Sequence, residues 1–289
     1  MKKLLSITLV TALVLGFASC KKTNSSDTGS NPFYTAPTVT TPTAPTLPVG
    51  SVPNKFTKKV VIEEFTGEWC GACPGGAANL KAIVDAHPDL AYPVAIHNAN
   101  SGYDPYEPSF FNQINSMLGS HSSYPGGNVD RGPIMGASEW AGEVDNRLQV
   151  KTDIGVALVS KTTGDNVNLD IYFGVTKPLT KDLYYTVYLL ENDMPTSPQG
   201  QTSGGPGYKH EHVLKDYLNT DLNGDMIEWV GSEKYFKVQL KNKNIAGKYL
   251  NINNCHLLVI VHTKGNVGSA GVEIITAQEC SMNEIKKWD

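Results

Sequence analysis

The sequence lacks a strong excess of either charge. Its 24 lysine and arginine residues nearly balance 28 aspartate and glutamate residues, and the formal net charge is −4. Binding to a nucleic-acid backbone needs a concentrated positive surface, which this balance does not supply. The composition therefore predicts no nucleic-acid partner.

Long hydrophobic runs are also scarce. One apolar segment, residues 4–17, approaches membrane length, and it lies at the extreme N-terminus behind Met1-Lys2-Lys3. A short positive region followed by a short apolar core is typical of a secretory signal. The sequence therefore excludes a protein with several membrane spans and predicts export.

Cysteine is sparse too, and its five residues are an odd number. The first of them, in Ala18-Ser19-Cys20, resembles the bacterial lipobox, in which the cysteine is acylated. The resemblance implies a signal peptide over residues 1–20 and a lipid anchor at Cys20 that holds the chain on the outer membrane. The alternative is ordinary cleavage that leaves Cys20 as a free thiol.

Residues 21–54 contain six prolines and eight threonines. Such a segment cannot bury enough apolar surface to offset the entropy of ordering it. It predicts a disordered tether in front of two folded domains, at 55–150 and 151–289.

The first predicted domain begins with a strand, a tight turn, a Cys-x-x-Cys motif and a helix. The β-branched run 59–65 predicts a buried strand, and apolar residues return at helical spacing after residue 79. A thiol at a helix N-terminus is favoured as thiolate, and a second thiol one turn inside can attack a mixed disulfide. The pattern predicts Cys70 as nucleophile and Cys73 as resolving thiol, with no cofactor and no metal. Half of a zinc site is the alternative interpretation.

Residues 69–73, Trp-Cys-Gly-Ala-Cys, resemble the Trp-Cys-Gly-x-Cys centre of thioredoxins. The resemblance implies a thioredoxin-like α/β domain with Trp69 packed over the site. It also implies that Glu64 is a buried proton acceptor for the resolving thiol, where the family usually has Asp. An exposed acid at a strand end is the alternative for Glu64.

Thioredoxins also place a cis proline opposite the cysteines. Pro125, in Ser-Ser-Tyr-Pro-Gly-Gly, is the candidate, and Tyr124 would then present its backbone to an extended substrate. His97 ends the next predicted strand and is expected at the same sheet edge as Cys70, as a substrate contact. It would either tune the thiolate or serve only as a hydrogen-bonding residue at the strand end.

The second predicted domain is rich in strands separated by Gly, Asn, Asp and Pro. The predicted strands are 154–159, 167–175, 183–190, 235–240, 255–262 and 272–277. This pattern favours an antiparallel β-sandwich of the Ig-like kind. The whole chain is thus predicted to be a multidomain α+β protein.

The last two cysteines flank a predicted hairpin. If its centre lies between Val267 and Gly268, Cys255 and Cys280 face one another. Opposed residues on antiparallel strands are close enough for a disulfide, and export makes one credible. Two separate buried thiols are the alternative.

Two further histidines lie in Tyr-Lys-His-Glu-His, residues 208–212. In an extended strand, His210 and His212 would share one face and could bind a metal, but the sequence offers no third ligand. This segment, the Tyr-Pro-Gly-Gly stretch and the late Asn-Cys and Glu-Cys pairs resemble the outer-membrane-protein-28 family of bacterial lipoproteins. The resemblance implies a Gram-negative cell-envelope location and a thioredoxin-like part followed by a β part.

The expected function is that of a thiol–disulfide oxidoreductase acting on exported proteins, whose partners are protein thiols or disulfides and a redox partner. The alternative is a surface binding or adhesion module that uses the thioredoxin-like part as a scaffold.

Overall fold

The computed structural model describes residues 47–100, 102–197, 204–205, 207–229, 231, 233–265, 267 and 272–288. Within these residues the helices are α1 (Cys73–Ala86), α2 (Phe111–Met117) and α3 (Trp140–Leu148), with a 3-10 turn at Ile252–Asn254. The strands are β1 (Val60–Thr66), β2 (Ala91–His97), β3 (Gly126–Val129), β4 (Ile134–Gly136), β5 (Ile154–Thr163), β6 (Asn166–Val175), β7 (Tyr184–Glu191), β8 (Met194–Pro195), β9 (Lys209–His210), β10 (Val213–Tyr217), β11 (Asp225–Met226), β12 (Tyr235–Asn244), β13 (Cys255–His262), β14 (Ile274–Ser281) and β15 (Ile285–Lys286). The fold is mixed α/β with few helices and several sheets, as predicted at this level.

The largest sheet has the strand order β14-β13-β7-β10-β2-β1-β3-β4, with β11 added beside β7. β1 runs parallel to β2 and antiparallel to β3, and β3 is antiparallel to β4. The sheet continues into the C-terminal half because β10 pairs with β2 in parallel, with Val213 beside Ala95. The boundary predicted at 150 and 151 falls between α3 and β5, and the division into two domains stays a prediction.

A second sheet has the order β12-β6-β5-β15. Its apolar side chains pack against those of β7 and β13 in one buried cluster, which includes Leu169 and Phe173 from β6 and Leu189 and Val259 from the larger sheet. Alternation along these strands places the apolar residues on the shared face. The six predicted strands correspond to β5, β6, β7, β12, β13 and β14.

Strand β1 separates two apolar cores. Val60 and Ile62 face α1 and α3, where they pack with Trp140. Val61 and Phe65 face the opposite side, which contains α2 and residues of β7, β10 and β13. Because side chains alternate along a strand, the next residue on the α1 side is Glu64.

The end of the predicted tether is ordered, which corrects its boundary. Val49 is 1% exposed and packs with Ala157 and Tyr172. The indole N–H of Trp288 donates to the Gly50 carbonyl at 3.1 Å. An apolar residue and a backbone acceptor thus anchor this segment, so the folded part begins before residue 55.

The expected Cys255–Cys280 disulfide is wrong in this structure, where both cysteines are free and buried. The register of β13 and β14 places Leu257 opposite Cys280, with an irregularity between Val261 and His262. The pairing is therefore displaced by two residues from a hairpin centred between 267 and 268. Both thiols remain on the buried face between the two sheets.

Candidate functional site

Cys70 and Cys73 form a disulfide where the turn after β1 enters α1. The turn is closed by the Cys70 N–H, which donates to the Gly67 carbonyl at 3.0 Å. Cys73 is the first residue of α1, and no described side chain caps that end of the helix. The motif therefore lies at the N-terminal end of α1, where the helix dipole favours a thiolate.

Both cysteines are largely enclosed. Each has an exposed fraction of only 4%, whereas Gly71 and Ala72 between them are exposed. The part of the motif that is open to solvent is therefore formed by these two small residues.

Glu64 lies behind the motif, on the α1 side of β1. It is 2% exposed, and its Oε1 atom has no hydrogen-bond partner in the described part of the chain. Burial raises the pKa of Glu64 to about 8, because a carboxylate without a compensating charge is destabilised away from water. Glu64 is thus a protonated acid at neutral pH that can release its proton slightly above it.

Gly76 in α1 lies next to both Glu64 and Pro125. A Cβ atom on Gly76 would lie 2.9 Å from Glu64 Oε1 and 2.7 Å from the Cβ of Pro125. Gly76 follows Cys73 by three residues, so it lies on the same side of α1. Because Gly76 has no side chain, Glu64 and Pro125 can approach α1 closely, three residues after Cys73.

The peptide bond between Tyr124 and Pro125 is cis, which confirms that prediction. The ring of Tyr124 contacts that of Trp69 edge-on, with centroids 5.1 Å apart. Trp69 is fixed in turn by its indole N–H, which donates to the Asn98 carbonyl at 2.6 Å. The predicted residues Trp69 and Tyr124 therefore form one aromatic wall beside the motif.

The position of Trp69 in this wall depends on Gly67, which the sequence analysis does not identify. A Cβ on Gly67 would lie 2.5 Å from Trp69 Nε1 and 2.8 Å from the Asn98 carbonyl oxygen. Gly67 therefore leaves the space in which the indole reaches its acceptor. The position of Gly67 between β1 and the Cys-x-x-Cys motif is the sequence feature that could have identified it.

His97 is fully buried and turned away from solvent. Its Nδ1 atom lies 2.8 Å from Asp104 Oδ2, which also accepts from the Glu68 N–H at 2.8 Å. Although burial acts in the opposite direction, the hydrogen bond and charge of His97 lower the pKa of Asp104. Since no surface of His97 is open, the expected substrate contact is replaced by a positioning role within this pair.

Residues from the C-terminal half of the chain also contact the group formed by His97, Asp104 and Glu68. Glu68 Oε1 accepts from the Ser197 N–H at 2.7 Å and lies 3.8 Å from His210 Nε2. The rings of His210 and His97 are 4.8 Å apart, and burial, followed by repulsion from His97, lowers the pKa of His210 to about 3. Glu68 and Asp104 gave no sequence signal, and the sequence did not predict that His210 joins them, because this pairing connects distant segments.

The structure thus brings together Cys70, Cys73, Glu64, Trp69, Tyr124 and Pro125, with His97 buried nearby. Cys20 lies outside the described residues. Among those residues, no helix has the length and apolar content that a membrane span requires.

Residues 112–283 match a protein family described as outer membrane protein Omp28. That range is more than half of the 289-residue chain. The chain belongs to the Omp28 family. This membership places the Omp28 chain in the cell envelope at the outer membrane, as its N-terminal signal predicts. The match includes Tyr124 and Pro125 but begins after Cys73, so it carries no information about the cysteine motif.

Two solved structures share the fold of this Omp28-family chain. HBP35 of Porphyromonas gingivalis has a TM-score of 0.66 and 24% identity, covering 80% of this chain and 77% of HBP35. A protein of Agrobacterium tumefaciens has a TM-score of 0.54 and 17% identity, covering 81% of this chain and 98% of its own. A comparison with curated proteins finds no significant match.

Proposed function

We propose that this chain is a thioredoxin-like thiol–disulfide oxidoreductase that acts on exported proteins in the cell envelope. The observation that carries the proposal is the position of Glu64, buried without a hydrogen-bond partner among the described residues and touching the Gly76 turn of the helix that starts at Cys73. A redox dithiol needs a proton acceptor of this kind for its second thiol.

The order of elements around the motif supports a thioredoxin-like assignment. β1, α1, β2, α2, β3, β4 and α3 follow one another, and the central strands are arranged β2-β1-β3-β4. The cis bond before Pro125 lies at the start of β3, opposite the motif. For residues 151–289 we propose an Ig-like sandwich, supported by the two antiparallel layers that share one core.

The proposed reaction begins with the reduced motif. The Cys70 thiolate attacks one sulfur of a partner disulfide, so a Cys70–partner bond forms while the partner's sulfur–sulfur bond breaks and its leaving sulfur takes up a proton. Cys73 then transfers its proton to Glu64, in the minor ionised fraction that a pKa of about 8 leaves near neutral pH, and attacks the Cys70 sulfur. The partner's second thiolate leaves, and the Cys70–Cys73 disulfide forms. A carboxyl with a pKa of about 8 is suited to this exchange near neutral pH.

Substrate positioning belongs to the same proposal. Tyr124 and Pro125 would present backbone to an extended segment of the partner, and the Trp69–Tyr124 wall would border it. The lipid at Cys20 would hold the domain near exported clients at the outer membrane.

A Cys73→Ala variant tests the proposal. Reduced and mixed with cell-envelope extract, it is expected to accumulate mixed disulfides at Cys70 because the resolving thiol is absent. Non-reducing electrophoresis and mass spectrometry of the adducts provide the readout. Cys280→Ala, which removes a buried thiol outside the motif, is the matched control and should accumulate none. Absence of any Cys70-linked adduct would contradict the proposal.

A binding module with a permanent disulfide is the second candidate. The 4% exposure of each cysteine favours it, because an enclosed disulfide resists exchange. The reduction potential of the pair separates the two functions. A value below about −300 mV, together with no reduction of insulin, supports the structural role.

A further inference from the structure

Three metal-binding side chains converge at a place separate from the cysteine motif. His212, His256 and Glu279 each offer one ligand atom, and these atoms all lie within 4.8 Å of one another. The two imidazole rings are 5.8 Å apart and nearly perpendicular, and His256 Nε2 lies 3.2 Å from Glu279 Oε1.

Apart from the close approach of His256 Nε2 to Glu279 Oε1, one polar atom of each residue has no partner in the described part of the chain. His212 Nδ1, His256 Nε2 and Glu279 Oε1 are each buried and have no hydrogen-bond partner in the described ranges. A buried polar atom without a partner costs free energy, and such atoms are uncommon in folded proteins. One such atom on each of three neighbouring side chains indicates a missing ligand that all three would bind.

The fold holds two of these side chains by strand register. His256 on β13 is opposite Ser281 on β14, and Glu279 precedes Ser281 by two residues. Diagonal neighbours at this spacing share one face of an antiparallel pair. His256 is 6% exposed, whereas the Glu279 side chain is 26% exposed, so the cluster is reached from solvent on the carboxylate side.

His212 reaches the cluster because the chain turns at this residue. Its φ is 55°, in the left-handed region, which directs its side chain away from the preceding His210. Its N–H donates to Asn192 Oδ1 at 2.7 Å, and its carbonyl accepts from the Ala95 N–H at 2.8 Å. These bonds explain why the expected arrangement, with both histidines on one face, is not formed.

Hydrogen bonds through Asn192 and Asn254 hold the backbone of His212 in place. The Asn254 carbonyl accepts from the Asn192 N–H at 3.0 Å, and Asn192 in turn holds His212. His256 follows Asn254 by two residues, so the same short segment of chain positions both histidines. Hydrogen bonds around the ligands that hold them in place are typical of metal sites.

We propose that His212, His256 and Glu279 bind a divalent transition-metal ion, best matched by zinc, through two imidazole nitrogens and one carboxylate oxygen. Zinc–ligand distances near 2.1 Å in a tetrahedral site give ligand atoms about 3.4 Å apart, close to the spacing of His256 and Glu279. Imidazole ligands disfavour calcium and magnesium, which prefer oxygen. With three protein ligands, a fourth position remains for water or for a donor atom of a partner.

Zinc binding to the full-length, oxidised chain tests the proposal. After treatment with a chelator, the protein is titrated with Zn²⁺ against a chromophoric competitor, and Co²⁺ is used as a spectroscopic probe. We expect one zinc per chain and the intense visible bands of tetrahedral cobalt. Glu279→Gln and His256→Asn should each weaken zinc binding roughly tenfold or more and remove the cobalt bands. His87→Asn, which changes a histidine paired with Asp145 elsewhere, is the matched control and should bind as the wild type does.

Folding of each variant is checked by circular dichroism and by its urea midpoint. Because the Glu279 side chain is partly exposed, Glu279→Gln is expected to fold even if His256→Asn does not. Absence of stoichiometric zinc binding by the wild type would overturn the proposal. Equal affinity of the wild type and a folded Glu279→Gln variant would also overturn it.

Discussion

The carboxyl oxygen Oε1 of Glu64 lies so close to Gly76 that a Cβ atom there would be 2.9 Å away from it. The same Cβ would meet the ring of Pro125 at 2.7 Å. Gly76 is therefore the point at which the helix, the acid and the proline loop of the candidate site touch. Its neighbour Gly75 has no described atom within 4 Å of an added Cβ.

These two glycines give a matched pair of alanine substitutions. Gly76→Ala should destabilise the oxidised protein by about 1–3 kcal/mol, because the Pro125 ring and the buried Glu64 carboxyl cannot move aside easily. Gly75→Ala, one residue earlier in the same helix, should stabilise it by about 0.5 kcal/mol through helix propensity. Urea unfolding followed by circular dichroism measures both. Equal effects of the two substitutions would show that the predicted contact is absent.

Glu64 should make stability fall as pH rises. Its pKa in the folded protein is about 8, above the ordinary value of 4.5 expected in the unfolded chain. Between these values the folded state keeps a proton that the unfolded state has lost, so the free energy of unfolding decreases across that window. Glu64→Gln removes this loss, so its free energy of unfolding should exceed that of the wild type. The difference should grow from near zero at pH 4 to at most about 5 kcal/mol above pH 8.

Urea titrations of both proteins at pH 4.5, 6.5 and 8.5 provide the measurement. Glu228→Gln, a change of the same kind at an exposed position, is the control and should follow the wild type at each pH. If the difference in free energy of unfolding between Glu64→Gln and the wild type is the same at all three pH values, Glu64 is not protonated in the folded state.

Local sequence signals located most of the elements around the motif. The β-branched run before Gly67 and the apolar spacing after Cys73 identified β1 and α1, because periodicity is a property of a short segment. The cis bond at Pro125 followed from its place in the resemblance to thioredoxins. Only Glu64 was assigned a role from the sequence, and strand alternation sends its neighbour Glu63 to the opposite face, with different partners.

The remaining features depend on contacts between distant segments. The pairing of Val213 with Ala95 joins the two halves of the chain in one sheet, and no local pattern specifies it. The position of the hairpin centre and the irregularity after Val261 together shift the register by two residues, which separates Cys255 from Cys280. The left-handed conformation of His212 sends it to partners on two other strands. A change of one or two residues in register alters which side chains meet, so the sequence could not specify these sites.

A buried ion pair on the other face of β1 should be costly to break. Glu63 is fully buried, and its Oε2 lies 3.6 Å from Arg131 Nε, while the Tyr188 hydroxyl donates to Oε1 at 3.3 Å. Burial raises the pKa of Glu63, against the opposing effect of Arg131. Arg131→Met should destabilise the protein by about 3–5 kcal/mol, because Glu63 loses its compensating charge.

The double variant Glu63→Gln/Arg131→Met is the control for that prediction. It removes both charges, so it should be more stable than Arg131→Met alone, even though it has one more substitution. Thermal and urea unfolding of the single and double variants measure the difference. A double variant less stable than Arg131→Met would show that the two charges are not coupled.

Cys255 and Cys280 should behave as protected thiols. Burial raises the pKa of each thiol to about 12, so neither is expected to react with iodoacetamide in the folded protein at neutral pH. Unfolding in urea without a reductant should expose both to alkylation, while Cys70 and Cys73 stay protected by their disulfide. Peptide mass spectrometry assigns the label to each residue, and a sample reduced before alkylation shows full labelling of all four. If Cys255 and Cys280 remain unlabelled until reduction, they are joined to one another, and the register of β13 and β14 must differ from the one described.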